Sequence, residues 1–220
     1  MAALSSKPNN KMELLEFNHK RVINNVPSEP YKELYEANWS MNQENVNVNT
    51  TNNAVVPVAQ EAGVKLAMHP DDPPRSPVRG IGRIMTSPEN FQRMLDMVDS
   101  PANGLTYCQG CFTEMNIDNP TWIRRFAEQG RLHFAHYRNI NKGGNADDFS
   151  ETFHDEEGEA DMYEAMKTYI EVGFEGPMRP DHAPTMEGES NDHPGYALQG
   201  RLMAVGYMKG LMEAIVKSRR

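Results

Sequence analysis

Four side chains that can bind a divalent metal follow one another along the chain, each at the end of a predicted short strand. They are His69, Cys108, His136 and Asp181, and each interval between them is about the length of one βα unit. Neutral histidine offers a nitrogen, while a thiolate and a carboxylate each bring one negative charge, so the set would neutralise a 2+ ion. The sequence therefore predicts a catalytic type of metal site, and this mixture of ligands leaves Mn, Fe, Co and Zn open.

Alternating strands and helices are predicted to position these residues. The strands are the apolar segments VKLAMH, LTYC, RLHFAH and GPMRPD. Helices are predicted over residues 54–63, from Ser87 to Val98, from Asn119 to Gly130, from Asp161 to Gly173 and from Tyr196 to about Lys217. This order is typical of a parallel sheet covered by helices, in the α/β class. Because parallel strands open their carboxyl ends on one side, the four ligands are expected to converge there.

Each of these residues also has a purely structural interpretation. A single His or Cys at a strand end is more often structural than a ligand, and Asp181 could cap a helix. The pair Cys108 and Cys111, in a CxxC pattern, could be a redox dithiol or half of a zinc knuckle, but no second CxxC is present in the sequence. The occurrence of all four residues at equivalent positions favours a metal site.

Proton-transfer candidates lie beside the last predicted ligand. His182 follows Asp181 in the segment Arg179-Pro180-Asp181-His182, and Tyr196 opens the final predicted helix. An imidazole near a cation suits a general base. A buried, satisfied histidine and a core tyrosine are the alternatives.

The proline-rich loop HPDDPPRSPVRG, residues 69–80, directly follows the first candidate ligand. Its arginines, Arg75 and Arg79, suit bidentate binding of a carboxylate, so contact with a substrate is expected. An ordinary charged surface loop is the alternative.

The composition of the chain limits its expected partners and cellular location. The chain has 220 residues and a formal net charge of −9, which argues against sequence-independent binding of nucleic acid. We expect no transmembrane helix and no secretory signal, and two cysteines form no disulfide framework, so a cytoplasmic protein is predicted. Residues 1–53 are rich in Asn and are expected to be a partly disordered N-terminal segment, with 41–53 as a polar linker or a degraded helix.

Six segments carry a resemblance to a known family. They are MHPDDPPRSP, GLTYCQG, HFAHYRNI, ETFHDEEGEADMYEAM, MRPDHAPTM and HPGYALQGRL. In this order, over residues 54–220, they resemble the mannonate dehydratase family, which is similar in fold to xylose isomerase. The resemblance implies a (β/α)8 TIM barrel that dehydrates D-mannonate to 2-keto-3-deoxy-D-gluconate in hexuronate (glucuronate) catabolism, with Mn2+ or Fe2+ as cofactor.

The resemblance also implies roles for nine residues. The implied metal ligands are His69, Cys108, His136 and Asp181, the same four that spacing indicates. The implied catalytic pair is His182 and Tyr196, with acid and base unassigned. Arg75, Arg138 and Arg201 lie in motifs expected to face the carboxylate and hydroxyls of the sugar acid.

The resemblance covers only the C-terminal half of a family member. A barrel of this type needs about 250 residues, and residues 54–220 carry four predicted strands, so the fold is expected to be truncated to about the C-terminal four βα units. Such a half-barrel would join a second copy, in a homo-oligomer, or need a complementary half-barrel. The alternative function is an inactive metal-binding remnant or interaction subunit. A related sugar isomerase or epimerase is a third possibility, against which the Cys108 ligand argues.

Overall fold

The computed structural model of the chain describes residues 44–76, 82–142, 149–155 and 158–219. Its helices are α1 Glu44–Glu61, α2 Pro88–Met97, α3 Gln109–Glu114, α4 Asn119–Glu128, α5 Met162–Glu171 and α6 Leu198–Ser218. Its strands are β1 Leu105–Cys108, β2 Leu132–His136, β3 Ile140–Lys142, β4 Phe149–Glu151 and β5 Met178–Arg179. The expectations for residues 1–43 lie outside the described residues.

A parallel sheet in the order β1-β2-β5 forms the centre of the fold. The predicted strand VKLAMH extends it beyond β1 through a single parallel bridge between Met68 and Leu105. The Met68 amide donates to Gly104 O over 2.9 Å, and the Thr106 amide donates to Met68 O over 2.8 Å. The four predicted segments are therefore neighbours in one parallel array, although the first is held by one bridge and β5 has only two residues.

Local signals account for the helix ends. Ser87 Oγ accepts from the Asn90 amide before α2, and Asp161 Oδ1 accepts from the Glu164 amide before α5. Gly130 and Gly173, with φ of +69° and +67°, follow α4 and α5 in the left-handed region. A residue without Cβ adopts this conformation at little cost, which is why glycine ends so many helices.

Helix α1 is longer than the helix that was predicted to start at residue 54. It runs from Glu44 to Glu61, so of the two interpretations of 41–53 the linker is wrong for 44–53. Val56 and Ala59 of α1 are buried against Ala102. Packing of the C-terminal half of α1 stabilises the helix. Because adding turns to an existing helix costs less free energy than starting one, the helix extends back through residues 44–53.

Three further elements were not predicted. Helix α3 follows Cys108 directly, and β3 and β4 form an antiparallel pair, with Ile140 opposite Glu151. Each is at most six residues long, too short to show a hydrophobic period. The final helix begins at Leu198, two residues after the predicted start at Tyr196.

The main core lies between the sheet and its helices. Phe112 of α3 is fully buried there, with its ring stacked on Tyr107 at a centroid distance of 4.1 Å and tilted against Phe91 at 5.2 Å. Residues alternate between the faces of a strand, so Tyr107 points to the helices while Cys108 points to the opposite face. Packing of Tyr107 against the helices thus directs Cys108, at the carboxyl end of β1, to the opposite side of the sheet.

We expect Phe112→Ala to lower the free energy of unfolding by about 3–5 kcal/mol, because it leaves a cavity among the rings of Tyr107, Phe91 and Phe126. Urea denaturation followed by circular dichroism measures this. Tyr163→Ala on α5, where the side chain is 47% exposed, is the control and should change stability by no more than about 0.5 kcal/mol. Equal losses in the two variants would contradict the placement of Phe112 in the core.

Candidate active site

The structure brings the four predicted metal ligands together at one end of the sheet. His69 Nε2 lies 3.0 Å from His136 Nδ1, which is 3.4 Å from Asp181 Oδ2. Cys108 Sγ is 3.6 Å from the same carboxylate oxygen. One donor atom from each residue lies within 4.8 Å of all the others. Their role as ligands stays a prediction, which this convergence supports.

The sheet explains the convergence. Cys108 ends β1 and His136 ends β2, and the two residues are register partners. Asp181 follows β5 with φ of +62°, a left-handed conformation that Asp tolerates better than most residues with a Cβ. Adjacent parallel strands therefore deliver a thiol, an imidazole and a carboxylate to one point.

Arg179, to which the sequence analysis gave no role, holds two of these side chains. Its Nε donates to His136 Nε2 and its Nη2 donates to Asp181 Oδ1, both over 2.9 Å. His69 is held separately, because its Nδ1 donates to Pro70 O over 2.7 Å and leaves Nε2 directed at the other donors. In the sequence, Arg179 was distinguished only by its place in the segment Arg179-Pro180-Asp181-His182, which is rich in charged and polar residues.

The charges of the site suit a divalent cation. Burial raises the pKa of Cys108, but hydrogen bonds from Cys111, His136 and His69 outweigh this and hold the pKa well below its usual value. Burial also raises the pKa of Asp181, and its hydrogen bond with His136 brings the pKa below the usual value. Both pKa shifts favour the ionised forms, a thiolate and a carboxylate, and together with two imidazoles this donor set fits a divalent metal ion.

The two cysteines are both free and buried. The hydrogen bond between Cys111 and Cys108 raises the pKa of Cys111 well above its usual value, as does burial. Cys111 is therefore a thiol that stabilises the neighbouring thiolate. This arrangement gives the CxxC pattern a role inside the candidate metal site, without requiring a disulfide.

The predicted proton-transfer residues are also brought together. Tyr196 OH lies 2.8 Å from His182 Nε2, and His182 Nδ1 lies 3.2 Å from Glu151 Oε1. The hydrogen bond with Glu151 raises the pKa of His182, and partial burial raises the pKa of Tyr196. His182 Nε2 is 3.9 Å from Asp181 Oδ1. The His182–Tyr196 pair therefore lies beside the ligand cluster, which is formed by His69, Cys108, His136 and Asp181. Tyr196 is 48% exposed, which leaves its hydroxyl accessible from solvent.

Arg138, one of the three arginines expected to face the substrate, lies in a buried network of ion pairs. It is 1% exposed and enclosed by protein carboxylates. Its Nε donates to Glu151 Oε2 over 3.0 Å, its Nη2 lies 2.6 Å from Glu151 Oε1, and its Nη1 donates to Asp72 Oδ2 over 2.9 Å. Three of its N–H groups thus already contact protein carboxylates, and the sequence motif did not reveal this burial.

The other two arginines stay candidates for substrate binding. Arg201 lies over the ring of Tyr196, with its guanidinium carbon 5.7 Å from the ring centroid. Arg75 is partly buried in the loop after His69, where its Nη1 approaches Pro74 O at 3.5 Å. Arg79 lies outside the described residues.

Asp72, Cys111 and Glu114 form a second group of metal-ligand types, and Arg138 already occupies it. Arg138 Nη1 is 3.6 Å from Cys111 Sγ and Nη2 is 3.7 Å from Glu114 Oε1. The guanidinium therefore supplies the positive charge of this group. Burial raises the pKa of Glu114 to about 8, with the Arg138 charge opposing the shift.

Glu114 should make stability depend on pH. Its folded-state pKa of about 8 lies above the value of 4.5 for a glutamate in the unfolded chain. The protonated carboxyl therefore contributes fully to stability below about pH 4.5, and this contribution is lost as pH rises to about 8. We expect the free energy of unfolding to fall over this range by a few kcal/mol more in the wild type than in Glu114→Gln. Urea denaturation from pH 5 to 9 measures this, with Glu128→Gln, at an exposed position of α4, as control. Parallel profiles for the wild type and Glu114→Gln would contradict the prediction.

Fold and site together define a class: α/β proteins in which parallel strands deliver a set of candidate metal ligands at their carboxyl ends. Within this class the chain belongs to the D-mannonate dehydratase (UxuA) family, whose family model matches residues 16–220. This confirms the family resemblance.

Two curated relatives show the extent of the similarity. The chain is 45% identical over 165 residues to "Mannonate dehydratase 2" of Halalkalibacterium halodurans, a match that covers 74% of this chain and 47% of that protein. It is 46% identical over 170 residues to "Mannonate dehydratase" of Thermotoga maritima, with 76% and 46% covered. The chain thus spans about half the length of the curated relatives it matches.

Solved structures agree on the fold. A crystal structure of mannonate dehydratase from Streptococcus suis serotype 2 is similar at a TM-score of 0.74 and 35% identity, covering 79% of this chain and 49% of that one. A D-tagatose 3-epimerase-like protein, at 15% identity and a TM-score of 0.58, shares the fold alone and covers 78% and 55%. These neighbours are TIM-barrel enzymes, which confirms the α/β class. No helix among the described residues combines the length and apolar character needed to cross a membrane.

Proposed function

We propose that this chain takes part in the metal-dependent dehydration of D-mannonate to 2-keto-3-deoxy-D-gluconate, a hydro-lyase reaction of hexuronate catabolism. The observation that carries the proposal is the placement of the His182–Tyr196 pair beside the His69, Cys108, His136 and Asp181 donors. Family membership and the similarity to relatives named mannonate dehydratases support it.

A divalent cation held by the four donors, Mn2+ or Fe2+ in this proposal, would bind the substrate carboxylate or an adjacent hydroxyl and stabilise the negative charge that develops when C2 loses its proton. The C2 proton of an aldonate is weakly acidic because it lies beside an anionic carboxylate, so a positioned base must remove it. The C3 hydroxyl then leaves as water, for which a general acid supplies a proton. The resulting enol tautomerises to the 2-keto acid.

His182 and Tyr196 are proposed to share the two proton transfers. The 2.8 Å contact between His182 Nε2 and Tyr196 OH lets a proton pass directly between them. One residue can therefore take the C2 proton while the other protonates the leaving hydroxyl. Arg201, stacked over the Tyr196 ring, and Arg75 are proposed to bind the sugar acid.

The rest of the barrel is proposed to come from a second copy or from a complementary half-barrel. The described residues form four parallel segments, and the chain spans about half the length of its relatives. These support a C-terminal half-barrel of four βα units. The two free cysteines are consistent with a reducing cytoplasm, where we place the reaction.

Release of 2-keto acid from D-mannonate tests the proposal. The purified full chain is assayed with Mn2+, with Fe2+ and after chelation, and its mass is measured by size-exclusion chromatography with light scattering. We expect metal-dependent turnover from an oligomer. A monomer without turnover in either metal would reject the active enzyme in favour of a metal-binding remnant or interaction subunit.

A further inference from the structure

Glu151 is a charged residue beside the proton-transfer pair that the proposed reaction does not use. It ends β4 and contacts His182 on the side of the imidazole opposite Tyr196. The carboxylate, the imidazole and the phenol therefore form a continuous hydrogen-bonded series. An ionised carboxylate can only accept hydrogen bonds, so the proton of a neutral His182 must lie on Nδ1.

Arg138 holds this carboxylate in place. It contacts both oxygens of Glu151, through Nε over 3.0 Å and through Nη2 over 2.6 Å. Such a bidentate pair restricts a carboxylate in both position and orientation. Asp72 Oδ2 accepts from the remaining Nη1 over 2.9 Å and keeps the guanidinium from turning away.

We propose that Glu151 is a positioning residue that keeps His182 as its Nδ1–H tautomer, and that Arg138 anchors Glu151 for this purpose. With the proton on Nδ1, the lone pair of Nε2 faces Tyr196 OH and the ligand cluster, where a base has to act. The other tautomer would point an N–H at that position, and Nε2 could not accept a proton there. A carboxylate that fixes a histidine in this manner is worth several powers of ten in rate in other enzymes.

Nitrogen NMR tests the tautomer directly, without reference to turnover. The full chain, labelled with 15N-histidine and treated with chelator, is measured at a pH at which His182 is neutral, and the signal is assigned with His182→Gln. We expect a protonated Nδ1 and an unprotonated Nε2 in the wild type. In Glu151→Ala the two tautomers should interconvert or Nε2–H should dominate.

Two further variants separate positioning from a general loss of structure. Glu128→Gln removes a carboxylate at an exposed position of α4, away from Arg138 and His182, and should leave Nδ1 protonated. Glu151→Gln retains the size of the side chain, but its amide can turn either oxygen or NH2 to the ring, so it should also lose the single tautomer. An Nε2–H tautomer in the wild type, or an unchanged tautomer in both Glu151 variants, would overturn the proposal.

The effect on rate rests on the proposed function and is measured separately. We expect Glu151→Ala to lower kcat about 10²- to 10⁴-fold with little change in KM, because substrate contacts are untouched. A wild type that dehydrates no mannonate but shows the Nδ1–H tautomer would reject the proposed function and support the positioning role. An active wild type whose kcat is unchanged by Glu151→Ala would overturn the role in catalysis.

Discussion

Asp181→Asn is expected to fold like the wild type and to lose both metal and turnover. Asn is nearly the same size as Asp and is one of the few residues that tolerate the φ of +62° found here. The backbone of the turn after β5 should therefore survive. What is removed is one of the two negative charges of the donor set, together with the carboxylate partner of Arg179.

We expect the affinity for Mn2+ to fall by more than about 100-fold, which is the upper range for loss of a residue that only supports a ligand. Elemental analysis after gel filtration, and competition with a chromogenic chelator, measure the loss. Asp192→Asn, at an exposed position of the loop before α6, removes the same charge away from the site and should bind metal normally. Cys108→Ser should resemble Asp181→Asn, because a serine hydroxyl does not ionise near neutral pH. Full metal content and turnover in both site variants would show that the four residues are not the ligands.

His182→Gln is the second variant with a large expected effect, and it should separate chemistry from metal binding. The imidazole contacts Tyr196 and Glu151 and is not among the four donors. Its loss should lower kcat about 10²- to 10⁴-fold, the usual contribution of a positioned acid or base. The variant should still bind metal, since all four donors are retained.

Tyr196→Phe, alone and combined with His182→Gln, sharpens this test. If the two residues act as one proton-transfer unit, the double variant should lose little more than the worse single variant, because residues of such a unit are strongly non-additive. His193→Gln, at an exposed position of the same loop, is the control and should keep its turnover. If the losses in kcat of the two single variants multiply in the double variant, the two residues have independent roles. An unchanged kcat in His182→Gln would show that the histidine takes no part in the mechanism.

Much of the framework of this protein could be predicted from local features of the chain. The apolar segments LTYC and RLHFAH became β1 and β2, and helices begin at Ser87 and Asp161 as predicted, with these two residues as N-caps. Such features depend on neighbours in sequence, so they can be recognised without the fold. Regular spacing of one βα unit was also enough to predict that His69, Cys108, His136 and Asp181 would meet, because parallel strands place equivalent ends side by side.

The surroundings of these residues depend on contacts between distant segments. Arg138 looks in sequence like an arginine open to a substrate, yet it is buried between Asp72 and Glu151. Glu151 reaches His182 only because two three-residue strands, β3 and β4, form a hairpin that leaves no periodic signal in the sequence. Glu114 likewise acquires its raised pKa from burial. The types and order of the candidate ligands are thus determined by the sequence alone. Burial and ion pairing between remote segments set protonation and orientation, and they arise only once the chain is folded.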